Sequence, residues 1–232
     1  MLNRGTTGTR NTRLDESNSD AEHSVTNFPH AADTPTMTPG RILFLQGASS
    51  AGKSTLARLL QRRLDEYWWR LEADDITHMQ PTWQLGSFWQ PSPEERTHPS
   101  WEMDARLRQW LAGYWGCLAA IAKTGSDVIA VGGWLQTSWL LDLADTIDGI
   151  DALCVGVYCP LEELEKREAE RGDREIGYAR SQYDVVHTHA PYDVEVDTSE
   201  IAMDEAADRI KAALADPPQA RFFERIRRTR GE

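Results

Sequence analysis

The sequence predicts an α/β fold, a doubly wound parallel sheet of five strands wrapped by helices. Three observations carry this. Short apolar runs alternate with longer segments of helical period about five times along the chain. The runs at 41–46, 127–132 and 152–158 are almost continuously apolar, as strands buried on both faces are. A glycine-rich turn lies directly between the first run and the first helical segment.

The elements follow in order. Residues 41–46 (RILFLQ) read as a buried strand, and a helix runs from Lys53 to about Glu66. A second strand covers 68–73, Asp74 and Asp75 follow it, and a short helix starts near Ile76. Residues 82–100 hold three prolines and no period, so they read as a loop or lid insertion. From Glu102 to Lys123 the apolar positions Leu107, Trp110, Leu111, Tyr114, Leu118 and Ile121 recur at helical spacing, and Gly125 supplies the stop. Strands at 127–132 and 152–158 precede a charged helix from Leu161 to Arg171 and a polar hinge. A strand at 192–197 and a helix from about Glu200 to Ala215 complete the body.

Three regions result. Residues 1–40, rich in Thr, Asn, Ser, Asp and Pro, bury too little apolar surface to offset ordering and read as a flexible N-terminal tail. Residues 41–216 form the folded domain. Residues 217–232 carry five Arg against two Glu and read as a basic C-terminal tail. That tail is a solvated helix end, a clamp on the acidic body, or a docking segment for an acidic partner.

Charge excludes whole classes of partner. Lys plus Arg total 25 against 37 Asp plus Glu, a formal net charge of −12. Such a surface repels nucleic acid and anionic lipid. No run approaches the roughly 18 apolar residues of a membrane span. Three cysteines, Cys117, Cys154 and Cys159, form neither a disulfide framework nor a C-x-x-C zinc pair. The expectation is a reduced, cytoplasmic protein.

The turn Gly47-Ala-Ser-Ser-Ala-Gly52-Lys53-Ser54 matches G-x-x-x-x-G-K-[ST] in the strand-to-helix setting that pattern requires. It predicts a P-loop. Backbone N–H groups of Gly47, Ser49, Ser50, Ala51, Gly52, Lys53, Ser54 and Thr55 line the candidate ATP phosphate site. Lys53 reaches the β- and γ-phosphates, and the Ser54 hydroxyl is the candidate Mg²⁺ ligand. Asp74 and Asp75 lie at the carboxyl end of a strand, the end that faces the ligand crevice in such sheets. Asp74 as general base with Asp75 as helix cap is the preferred division, the reverse its alternative. Arg171 and Arg174 are candidate stabilisers of a transferring phosphoryl group, on a segment hinged by Gly172 and Gly177. Arg167 and Arg180 fit equally well as partners of helix carboxylates.

Together the P-loop, Asp74 seven residues before Pro81, Arg171-Gly-Asp-Arg174 followed by Gly177, Val186-His187 and Tyr192-Asp-Val-Glu-Val-Asp-Thr198 resemble the chloramphenicol phosphotransferase family. The likeness runs from about residue 41 to 213. It implies a P-loop NTPase of the small-molecule kinase type, moving the γ-phosphoryl group of ATP to an alcohol on a small antibiotic. By position, the resemblance makes Asp74 the base, Lys53 the phosphate-binding lysine, and the stretch around Arg171 and Arg174 the lid. One departure stands out. The third strand ends Val131-Gly132-Gly133-Trp134, without the acid that would hold Mg²⁺ through water.

All nine tryptophans fall between Trp68 and Trp139. Trp110 and Trp115, at helical spacing, are expected in the core, whereas Trp83, Trp89 and Trp134 are candidates for an acceptor pocket. His78 and His187 are expected to be structural or at the surface. Two further functions remain open: a nucleotide or metabolite kinase on the same scaffold, and a nucleotide-binding module without catalysis.

Overall fold

The computed structural model describes residues 37–79, 105–133, 136–172 and 176–229. Strands β1 (Ile42–Gln46), β2 (Trp68–Glu72), β3 (Asp127–Gly132), β4 (Ala152–Tyr158) and β5 (Val194–Asp197) form one sheet in the order β2-β3-β1-β4-β5. Every pairing is parallel, with Ile42 opposite Val128 on one side and Ala152 on the other. The order reverses beside β1, so the turn after β1 opens at the carboxyl-end crevice where ligands of such sheets bind.

The described helices are α1 (Lys53–Arg63), α2 (Ala73–His78), α3 (Ala105–Lys123), α4 (Thr137–Thr146), α5 (Leu161–Arg171), α6 (Tyr178–Val186), α7 (Met203–Ala215) and α8 (Phe222–Arg228). β1 is buried at every position, and its alternation divides the core in two. Ile42 and Phe44 face one cluster with α3, α4 and α8. Leu43 and Leu45 face the other, with α1, α6 and α7. This two-sided burial explains the continuous apolar runs. Trp110, Trp115 and Trp139 all lie in the first cluster, so these three tryptophans pack the core. Trp83, Trp89, Trp101 and Trp134, and the proline-rich insertion, lie outside the described residues.

Several boundaries differ from expectation. α2 begins at Ala73 and not near Ile76, because Glu72 and Asp75 form a reciprocal capping box that starts the helix at the strand's end. α4 fills the β3–β4 connection, for which the sequence pattern predicts no element. The segment read as a polar hinge contains α6, whose Ala179, Gln182 and Val186 are buried. A lone i, i+3, i+7 stripe of mixed polarity is easy to overlook.

The C-terminal helix α8 sets Phe222, Phe223 and Ile226 into the core, with Phe223 edge-on to Phe44 at 5.3 Å. Its arginines meet acids of the body. Arg221 pairs with Asp151 at 2.7 Å, and Arg227 with Asp148 at 3.3 Å. Exposed pairs of this kind contribute about 0–1 kcal/mol each, so apolar burial holds the helix. Phe223→Ala is therefore expected to cost about 3–5 kcal/mol. A urea midpoint unchanged from wild type would show that α8 does not belong to the cooperative unit.

Candidate active site

The turn from Gly47 to Ser54 reverses through two left-handed residues, Ser50 at φ 64° and Gly52 at φ 89°. Glycine adopts that conformation freely, whereas Ser50 holds it at a cost of order 1–3 kcal/mol, and strain of this kind concentrates at functional sites. The Ser50 hydroxyl is buried and has no hydrogen-bond partner among the described residues. A buried hydroxyl without a partner, on a turn that leads into a helix N-terminus, suits an anionic ligand. Lys53 Nζ donates to the carbonyl of Ala48 at 2.6 Å, folded back over the turn. The Ser49 N–H donates to Gln182 Oε1 at 2.7 Å and the Ala51 N–H to the Ala48 carbonyl at 3.3 Å, so these two N–H groups, expected to line the phosphate site, are taken within the protein. The Ala51 carbonyl accepts from Thr198 Oγ1 at 3.0 Å, which ties the turn to the end of β5. Thr55 is exposed on the first turn of α1.

Ser54 joins the turn to the second strand. Its Oγ donates to Glu72 Oε2 at 2.5 Å. Glu72 is 7% exposed and has three further ties. Its carboxylate pairs with Arg70 and accepts from the backbone of Asp75, and its own N–H donates to Asp75 Oδ2 at 2.9 Å. One buried carboxylate thus fixes β2, the start of α2 and the phosphate turn to each other. Asp75 serves α2 as the partner in its capping box, not as the N-cap itself. Asp74, half-buried on the same first turn, lies two residues beyond Glu72. Close by, the buried Tyr114 hydroxyl donates to the Leu71 carbonyl at 2.9 Å. Burial pushes its pKa well above the usual phenol value, and the charges of Glu72, Asp75 and Asp74 push the same way.

Glu72 is not among the residues the sequence points to, since the resemblance implies an acid at the end of the third strand. The structure gives a reason for its absence at 133: a Cβ on Gly133 would stand 2.9 Å from the Gly47 carbonyl. The available signal was an acid ending β2, one strand over. Gln182 and Glu168 are not among them either, and each is a polar residue inside a helix's buried stripe. Glu168, 1% exposed, accepts from the N–H groups of Gly177 and Ala179 at 2.7 Å each and so caps α6 from the end of α5.

Of the arginines, Arg171 is the exposed last residue of α5, and Arg174 lies outside the described residues. Arg167 binds Glu163 at 2.9 Å and Thr198 Oγ1 at 3.0 Å, bracing the residue that holds Ala51. Arg180 pairs with Glu165 at the surface at 2.7 Å. His78 is exposed at the end of α2.

His187 is more than a surface residue. Its ring stacks on Tyr158 at 3.9 Å between centroids and its Nδ1 lies 3.1 Å from the Tyr192 hydroxyl. Burial, then the charge of Lys53, lowers its pKa to about 4. The folded protein therefore keeps His187 neutral between about pH 4 and 6.5, where the unfolded chain binds a proton. Stability from this group is full above pH 6.5 and is lost as pH falls toward 4. The urea midpoint of His187→Phe is expected to fall less steeply than wild type across that window. Parallel curves would show that His187 does not titrate differently on folding.

Comparison with known proteins agrees with this geometry. The sequence profile described as chloramphenicol phosphotransferase-like protein matches residues 40–215. The chain belongs to the chloramphenicol phosphotransferase-like family. Two relatives from strains of Mycobacterium tuberculosis, named provisionally as O-phosphotransferases, are each 30% identical over 204 residues, 83% of this chain and 90% of theirs. Among solved structures, the fold is similar to that of a Mycobacterium tuberculosis APS kinase in complex with AMPPNP and APS. That match has a TM-score of 0.57 and 18% identity, over 77% of this chain and 99% of the kinase. A gluconokinase from Sinorhizobium meliloti gives a TM-score of 0.54 at 19% identity, over 77% and 93% of the two chains. A Deinococcus radiodurans tunicamycin resistance protein gives 0.53 at 17%, over 77% and 99%. Family and fold together make this member of the chloramphenicol phosphotransferase-like family a P-loop, small-molecule kinase. Among the described residues, no helix is long and apolar enough to cross a membrane.

Proposed function

We propose that the protein transfers the γ-phosphoryl group of ATP to a hydroxyl of a small molecule, with chloramphenicol-like antibiotics the first acceptors to test. The observation that carries this reading is the Ser54–Glu72 hydrogen bond, which joins the phosphate turn to the strand whose next helix bears Asp74. Asp74 accepts the proton of the acceptor hydroxyl as its oxygen bonds to the γ-phosphorus. The bond from that phosphorus to the β,γ-bridging oxygen breaks, and ADP leaves. Lys53 exchanges the Ala48 carbonyl for the β- and γ-phosphate oxygens. Arg171 and Arg174 neutralise the charge that spreads over the transferring group.

The residues also fit Mg²⁺. By donating its proton to Glu72, Ser54 keeps its oxygen lone pairs for a cation, and Glu72 would supply the carboxylate, directly or through water. A bound Mg²⁺ would supply positive charge against the triphosphate. Glu72 would then take the role of the absent third-strand acid.

The test is ADP release from ATP and Mg²⁺ across a panel of hydroxyl-bearing antibiotics and common metabolites. Turnover that saturates with one antibiotic alcohol supports the proposal. Turnover with a common metabolite alone makes the protein a metabolite kinase, and ATP binding without turnover on any acceptor makes it a binding module.

A further inference from the structure

Gln182 has no part in the chemistry above, yet it is 5% exposed and carries a polar amide into the apolar packing of α6. Its Oε1 accepts from the Ser49 N–H at 2.7 Å. The carbonyl of the same peptide group, that of Ala48, accepts from Lys53 Nζ at 2.6 Å. One peptide plane is therefore gripped at both ends, by the lysine of the phosphate turn and by a glutamine from a helix 133 residues further along the chain. A second bond secures that helix. Gln46 Nε2, from the last residue of β1, donates to the Val186 carbonyl at 3.2 Å, one turn beyond Gln182. Glu168 holds the other end of α6 through Gly177 and Ala179. The acceptor offered to Ser49 is thus fixed along the helix's whole length.

Lysines of such turns reach the β- and γ-phosphates. The carbonyl on which Lys53 rests therefore marks the γ-end of the cradle. When Lys53 moves to a triphosphate, the Ala48 carbonyl gives up its short bond to the ammonium and keeps the longer one from the Ala51 N–H at 3.3 Å. A peptide group turns as a rigid unit about its soft flanking torsions. If the Ala48–Ser49 unit turned, a carbonyl oxygen would face the terminal phosphate and repel it.

We propose that Gln182 is a positioning residue for the γ-phosphate, holding the Ala48–Ser49 peptide so that the cradle favours a triphosphate over a diphosphate. This rests on the kinase reading and deepens it, because it names a residue that touches neither substrate yet sets which nucleotide is held. The effect is on ATP more than on ADP, which lacks the group at that end.

The experiment titrates the full chain with AMPPNP or ADP in the presence of Mg²⁺, for wild type, Gln182→Met and Gln182→Asn. Methionine keeps length and removes the acceptor. Its affinity for AMPPNP should fall about tenfold or more, and its affinity for ADP by less than about threefold. Asparagine adds no charge and draws the amide oxygen one methylene back from the Ser49 N–H. It should lower the AMPPNP-to-ADP affinity ratio in the same direction. If methionine prevents folding, the asparagine variant decides. Equal losses for both nucleotides, or an unchanged AMPPNP-to-ADP ratio in a folded Gln182→Asn, would overturn the inference and leave the kinase reading intact. A wild-type chain that binds neither nucleotide would overturn both.

Discussion

Lys53→Ala is expected to lower phosphoryl transfer by about 10³-fold or more, several kcal/mol of barrier. The ammonium rests on the Ala48 carbonyl, on the turn that forms the phosphate cradle. It is half-buried at the start of α1, so the charge it offers acts in a medium of lower dielectric than water. Alanine keeps the helix, since it has the highest helix propensity, and removes only the charge and its donors. The loss should therefore appear in turnover and not in the melting temperature. A rate within a few-fold of wild type, measured under saturating ATP, would mean that the phosphates lie elsewhere.

Asp74→Asn should cut the rate by about 10²–10⁴ while ATP affinity stays close to wild type. The amide has nearly the same shape but cannot take a proton from the acceptor hydroxyl. Asp75→Asn is the control. Asp75 caps α2 by accepting from the Glu72 N–H, and an asparagine oxygen accepts equally well. Its rate should remain near wild type. If Asp75→Asn loses the rate and Asp74→Asn keeps it, the roles of the two neighbours are exchanged.

Sheet and cradle were legible because both are written in local patterns. β1 is buried on both faces, which yields an unbroken apolar run, and the turn after it must have glycine and lysine at fixed offsets. The seam between elements was not legible. Glu72, Glu168 and Gln182 each work on residues of another element that the fold brings near, from 9 residues away for Gly177 to 133 for Ser49. No sequence period announces such a bond. α8 was obscured for a different reason: five arginines in the C-terminal segment mask the apolar face formed by Phe222, Phe223 and Ile226. The family resemblance points to Asp74 and to an acid ending the third strand, where a Cβ on Gly133 would crowd the Gly47 carbonyl at 2.9 Å.

A phosphate-gripping turn and a carboxylate on α2 are proposed to act on one alcohol held between them. The most direct measurement is the product mass after incubating ATP, Mg²⁺ and the responsive acceptor with wild type and with Asp74→Asn. The expected result is an acceptor heavier by one phosphoryl group with wild type, and only a trace of it with the variant. ADP formed without a phosphorylated acceptor, or equal product from both proteins, would contradict it.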